Sequence, residues 1–107
     1  MFFKRKDPTS SEAIGESLTA FVKKNAQQLM FREVYFKSIV IVLPFEAETR
    51  WKPYSEELRS ALIERLQTKL GLDKDENYQP QIIFRTGMEK GLTFSGSFES
   101  QDIPDGW

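Results

Sequence analysis

Cysteine and histidine are both absent from the 107 residues. Their absence excludes disulfide frameworks, thiolate nucleophiles, Cys-based zinc sites and the usual proton shuttle at neutral pH. Carboxylates, lysine, tyrosine and hydroxyls are left as the groups able to do acid–base or nucleophilic work. An enzyme is therefore not expected, and no catalytic residue, cofactor or metal ligand is assigned. Long apolar runs are missing too: none approaches the about 20 residues that a membrane-spanning helix needs. The start, with Phe2 and Phe3 ahead of Lys4, Arg5 and Lys6, has the wrong order for a secretory signal. The expectation is a cytoplasmic chain with no membrane span. A length of 107 residues, with 39% hydrophobic and 29% charged side chains, suits one globular domain with a single core.

What is present is unevenly charged. Residues 1–37 hold seven Lys/Arg against four Asp/Glu, a net of +3, and residues 38–107 hold eight against twelve, a net of −4. Such an asymmetry is the form taken by a basic face for nucleic acid or anionic lipid. Excesses of this size are also found on ordinary solvated surfaces.

The run Ile39-Val40-Ile41-Val42-Leu43, closed by Pro44, is apolar throughout and β-branched at its first four positions, as expected of a strand covered on both faces. The first strand is placed at about Tyr35 to Leu43, after an ambiguous aromatic link over 31–36. Before it, Thr9 and Glu12 stand in capping-box spacing, with Ser10 and Ser11 as alternative caps. Ile14, Leu18, Phe21, Val22, Leu29 and Met30 follow a helical period, so a first helix is read from about Ser10 to Met30. Gly15 within it costs about 1 kcal/mol against alanine, which points either to a frayed first turn, the reading preferred from sequence, or to a close approach at that position. After the strand, residues 45–52 read as a charged loop. Pro53 then opens a second helix that runs to about Leu70 on a stripe of Leu58, Ala61, Leu62, Leu66 and Leu70, with Arg59 and Arg65 facing water and Gly71 as the stop.

Residues 72–79 read as a polar loop. A second strand is placed at about Gln81 to Arg85 and a third at about Leu92 to Glu99, joined as a hairpin through the glycine-flanked link 86–91. The third strand alternates Leu92, Phe94, Gly96 and Phe98 with polar residues. The chain is thus expected to be an α+β domain of order α-β-α-β-β over residues 10–100. It would carry a three-stranded mixed sheet with two helices on one face, a flexible basic lead-in at 1–9 and a flexible tail at 101–107.

Few motifs survive a chemical test. Asp73, Asp75 and Asn77 match the first three ligand positions of an EF-hand calcium loop, but Tyr78 and Phe84 stand where its glycine and bidentate glutamate belong. Gly87 and Gly91 lie between strands with no following helix to hold a phosphate, and they lack the Gly-x-x-Gly spacing of a KH clamp. Glu56 and Glu57 are neighbours on an exposed helix start and form no acid–base pair. An enzyme built on carboxylates with Tyr54 or Tyr78 has no base with a positioned partner.

The segment Arg50 to Leu58 gathers aromatics and cations at a helix entrance, the composition of an interface anchor and equally of a structural staple. Its Trp51, Pro53, Tyr54, Glu56 and Leu58, between an apolar strand and a leucine-rich helix, make the chain resemble the N-terminal domain that precedes the forkhead-associated module in bacterial signalling proteins. That domain has the same α-β-α-β-β order. The resemblance implies a noncatalytic regulatory or assembly domain, able to associate with itself. The phosphothreonine-reading module is absent from this chain, so that activity is not carried over.

The expected function is protein–protein interaction through a strand edge, a sheet face or the tryptophan region, with a homodimer or a strand-adding partner and with Arg50, Trp51, Tyr54, Phe94 and Phe98 at the contact. A specific surface of that kind exceeds about 1,000 Å² in total. Weak nucleic-acid binding by the basic N-terminal third is the alternative.

Overall fold

In the computed structural model, which describes residues 9–72, 78–88, 90–102 and 106–107, the apolar run becomes the middle strand of a sheet. It forms β3, Ser38–Pro44, buried at six of its seven positions. Three strands make the sheet in the order β4-β3-β5, with β4 at Gln81–Gly87 and β5 at Thr93–Ser97. β3 pairs parallel with β4 (Ile39 opposite Ile82, Ile41 opposite Phe84) and antiparallel with β5 (Ile39 opposite Gly96, Ile41 opposite Phe94).

The expected hairpin between the last two strands is therefore corrected. Both follow one another in sequence, yet β3 lies between them, because the strand with the most apolar surface loses most water when paired on both sides. β4 ends opposite Pro44 and β5 begins opposite Val42, on the other side of β3.

α1 (Ser11–Lys24) and α3 (Ser55–Lys69) complete the α+β domain. Ile14, Leu18 and Val22 of α1 meet Leu58, Leu62 and Leu66 of α3 over Ile39, Ile41, Leu43, Ile82 and Phe84 in one core. Each such side chain, fully buried, contributes about 1.5–3 kcal/mol of transfer free energy. Ala61, placed on the stripe from sequence, is exposed.

The helix ends follow local chemistry. Ser10, rather than Thr9, caps α1, its Oγ accepting from Ala13 N–H at 3.1 Å. Lys23 and Lys24 fall in the last turn, where the dipole favours them. At the end of α3, Gly71 takes φ +65° while its N–H donates to Thr68 O and that of Leu72 to Gln67 O, a Schellman closure.

Gly15 is not a frayed point. A Cβ there would run into the Arg65 side chain, Cδ first, so the glycine is what lets α3 approach α1. Arg65 in turn lies 3.7 Å from Glu16 and is only partly exposed.

Two further elements depart from the sequence reading. α1 stops at Lys24, six residues early, because Asn25 turns both its N–H and its side-chain amide onto Phe21 O. The residues beyond it fold as an antiparallel ribbon, β1 (Gln27–Leu29) with β2 (Arg32–Val34), closed by Met30 and Phe31. Leu29 and Met30 sit seven and eight positions after Val22, which gives them a helical spacing without a helix.

The stretch read as a charged loop contains α2, Phe45–Trp51, whose Ala47 is buried. A 3-10 turn, Lys52–Tyr54, then leads into α3. Pro53 breaks the two helices apart, having no N–H to give and a ring that clashes with the carbonyl four residues back.

Candidate functional site

The five residues expected at a contact fall into two groups. Arg50 and Trp51 end α2, and the Arg50 guanidinium lies 5.0 Å from the Trp51 ring centroid. Trp51 Nε1 donates to Thr9 O at 2.6 Å and its ring packs on the core, so this residue pins the chain ahead of α1. That is the staple rather than the anchor. Tyr54, 58% exposed, is the one large aromatic of this group left to solvent.

Phe94 and Phe98 belong to a separate aromatic cluster. Phe94 stacks on Phe21 at 5.5 Å, Phe21 on Phe36 at 5.4 Å, and Phe36 tilts against Phe98 at 4.8 Å. The Phe36 ring lies where a Cβ on Gly96 would stand, 2.5 Å from it. Phe94 and Phe98 are half-buried and occupied with holding Phe36 over β5, which leaves little of them for a partner.

The two outer edges of the sheet differ. On β4, Trp107 N–H donates to Phe84 O at 2.8 Å and Phe84 N–H donates to Trp107 O at 3.0 Å. Arg59 reaches over the same edge: Nε donates to Ile82 O, Nη2 to Trp107 O, and its guanidinium stands 5.2 Å from the Phe84 ring centroid. Arg59 thus faces the sheet, not water. Trp107, read from sequence as part of a flexible tail, is docked here, and the Gln101 backbone is bridged to the Gln81 side chain. On β5 no further strand pairs along the outer side among the described residues. Thr93, Ser95 and Gly96 are exposed there.

An open groove of about 680 Å³ lies beside β2, lined by Arg32, Glu33, Val34, Tyr35, Leu72 and Tyr78 among others. Its phenols are already engaged. Tyr35 OH donates to Glu33 at 2.6 Å, and Gln28 donates to the other Glu33 oxygen at 3.1 Å. These bonds, that from Tyr35 foremost, hold the Glu33 carboxyl below its ordinary pKa. Tyr78 OH donates to Phe36 O at 2.6 Å, and burial, aided by Tyr35 close by, pushes its phenol pKa up. The Tyr78 proton faces a main-chain carbonyl, which cannot take it, and the carboxylate that accepts from Tyr35 is held below its ordinary pKa and so is a weak base toward a phenol.

The calcium-like Asp73, Asp75 and Asn77 lie outside the described residues. Among the described residues no group of three acidic side chains is placed to hold a metal ion, and no helix is long and apolar enough to cross a membrane.

The feature that sequence reasoning missed is the tip of the β1–β2 ribbon. Met30 is 97% exposed, Phe31 fully and Leu29 about half. Met30 has φ 57°, the left-handed region that two-residue hairpin turns demand and that glycine or asparagine normally supplies. The sequence signal available was the polar pairs Gln27-Gln28 and Arg32-Glu33 flanking the apolar triplet, a ribbon pattern that the longer helical period masked. No protein-family model, no curated protein and no solved structure matches the chain.

Proposed function

We propose that this chain is a noncatalytic interaction domain that joins a protein partner, a second copy of itself in the first instance, by adding a strand along the outer edge of β5. One observation carries the reading: the edges of the sheet are treated unequally. On β4 the outward Phe84 N–H and C=O are taken by Trp107 and the Ile82 C=O by Arg59. β5 carries none of the devices that keep an edge solitary, since Thr93-Phe94-Ser95-Gly96-Ser97 holds no lysine, no proline and no charge. An unpaired edge of this kind offers main-chain hydrogen bonds to an incoming strand, while neighbouring side chains select which strand fits.

Sedimentation equilibrium from micromolar to near-millimolar protein tests the proposal. The parent chain is expected to form a dimer. The exposed pair Thr93→Lys and Ser95→Lys is expected to return it to monomer with unchanged circular dichroism. A parent that stays monomeric throughout that range, or a dimer indifferent to both lysines, overturns the reading.

A further inference from the structure

The β1–β2 ribbon presents an apolar triplet at its tip, and four cations lie on its strands or within four residues of its base. Lys23 and Lys24 in the last turn of α1, Arg32 on β2 and Lys37 before β3 are all exposed. Glu33 is the one acid in residues 21–37, which gives that segment a net charge of +3. Its carboxylate already accepts hydrogen bonds from Tyr35 and Gln28. Among the described residues the other large exposed apolar side chains, Phe45, Tyr54 and Met88, stand singly at separate places in the fold. Leu29, Met30 and Phe31 are consecutive, and Met30 occupies a backbone conformation in which glycine would relieve strain and expose nothing.

We infer that this ribbon is a membrane-docking device: Leu29, Met30 and Phe31 enter the interface of an anionic bilayer while Lys23, Lys24, Arg32 and Lys37 lie against its headgroups. Three side chains at a tip fall well short of the about 1,000 Å² that a stable protein contact buries. A bilayer needs no matching shape, and an apolar wedge inserts about 5–10 Å into its boundary. Strands of three residues at about 3.4 Å each give the ribbon a reach of about 10 Å. Durable anchoring takes two signals. The wedge supplies one, and cations near an anionic surface supply the other.

This surface is distinct from the β5 edge, so the inference stands or falls separately from strand addition. The test is co-sedimentation of the full chain with sucrose-loaded vesicles of phosphatidylcholine alone or mixed with phosphatidylserine. Binding is expected on the mixed vesicles, falling steeply with added salt, and little on the neutral ones. The Met30→Ser/Phe31→Ser variant is expected to lose at least tenfold in partitioning. Lys23→Ala/Lys24→Ala is expected to lose affinity and to flatten the salt dependence. Phe31→Trp should show a blue-shifted added emission, quenched by brominated lipid. All these side chains are exposed, so circular dichroism is expected to be unchanged.

Absence of binding to mixed vesicles overturns the inference. So does equal binding by the serine variant, which would leave electrostatic attraction alone. Single-stranded RNA bound as tightly as the vesicles, with no dependence on Phe31, would assign the cations to nucleic acid instead. Loss of self-association in the serine variant without any vesicle binding would make the tip a protein contact.

Discussion

The Tyr78 hydroxyl, donating to Phe36 O at 2.6 Å, ties the approach to β4 to the approach to β3, while Gln67 Nε2 donates to Tyr78 O at 2.7 Å from α3. Tyr78→Phe removes one hydrogen bond and leaves a carbonyl partly unsatisfied, so a loss of about 0.5–1.5 kcal/mol is expected in urea unfolding near neutral pH. The pH dependence is more telling. Because the folded phenol titrates above its unfolded counterpart, the native state holds this proton longer. The stabilisation it brings is complete below the ordinary tyrosine pKa of about 10 and declines as pH rises beyond it. Stability of the parent is therefore expected to fall above about pH 10, and that fall should be shallower in Tyr78→Phe. Parallel alkaline limbs in the two proteins would show that Tyr78 is not the group responsible.

At the scale of elements, close approach decides more than propensity. Gly15 in α1 and Gly96 in β5 both weaken their elements by ordinary measures, yet Arg65 and the Phe36 ring fill the space where their side chains would be. Gly96→Ala is expected to destabilise the domain by about 1–3 kcal/mol, the usual cost of overpacking, because Phe36 is buried and held by Phe21 and Phe98 on either side. Thermal or chemical unfolding measures it directly. A gain in stability would mean that the strand's preference for a side chain outweighs the contact. Of all this the sequence displayed only that a glycine was present. Which partner approaches it depends on residues fifty or sixty positions away.

For the whole molecule, the decisive feature is the sealing of one sheet edge and not the other. Trp107 closes β4 with two main-chain hydrogen bonds, a ring centroid 5.3 Å from that of Phe84, and Nε1 donating to Thr86 Oγ1 at 3.3 Å. Trp107→Ala is expected to cost about 1–3 kcal/mol, a half-buried residue's share of the about 3–5 kcal/mol for truncating a core aromatic. Hydrogen exchange at the Phe84 amide should accelerate by more than the global loss accounts for. An unchanged Phe84 amide would show that the edge is closed without the indole. On the proposed strand addition at β5, the same variant should associate beyond a dimer at high concentration, since the β4 edge would then also offer unpaired main-chain groups.

The one-dimensional pattern determined the secondary elements with the strongest periods: a buried strand over 39–43, a helix on Leu58, Leu62 and Leu66 ended by Gly71, and two C-terminal strands around helices packed on one face. These are local or nearly local properties, set by spacing, capping and turn residues. Strand order, the ribbon after Asn25, the orientation of Arg59 toward the sheet and the docking of Trp107 were decided only by the tertiary structure. Each depends on which distant groups compete for the same surface or the same unpaired main-chain bond. Leu29 and Met30 show the difference most plainly: their spacing from Val22 fits a helix face, but α1 ends at Lys24 and the main chain beyond it pairs with β2, which leaves both side chains in solvent at the tip of a ribbon.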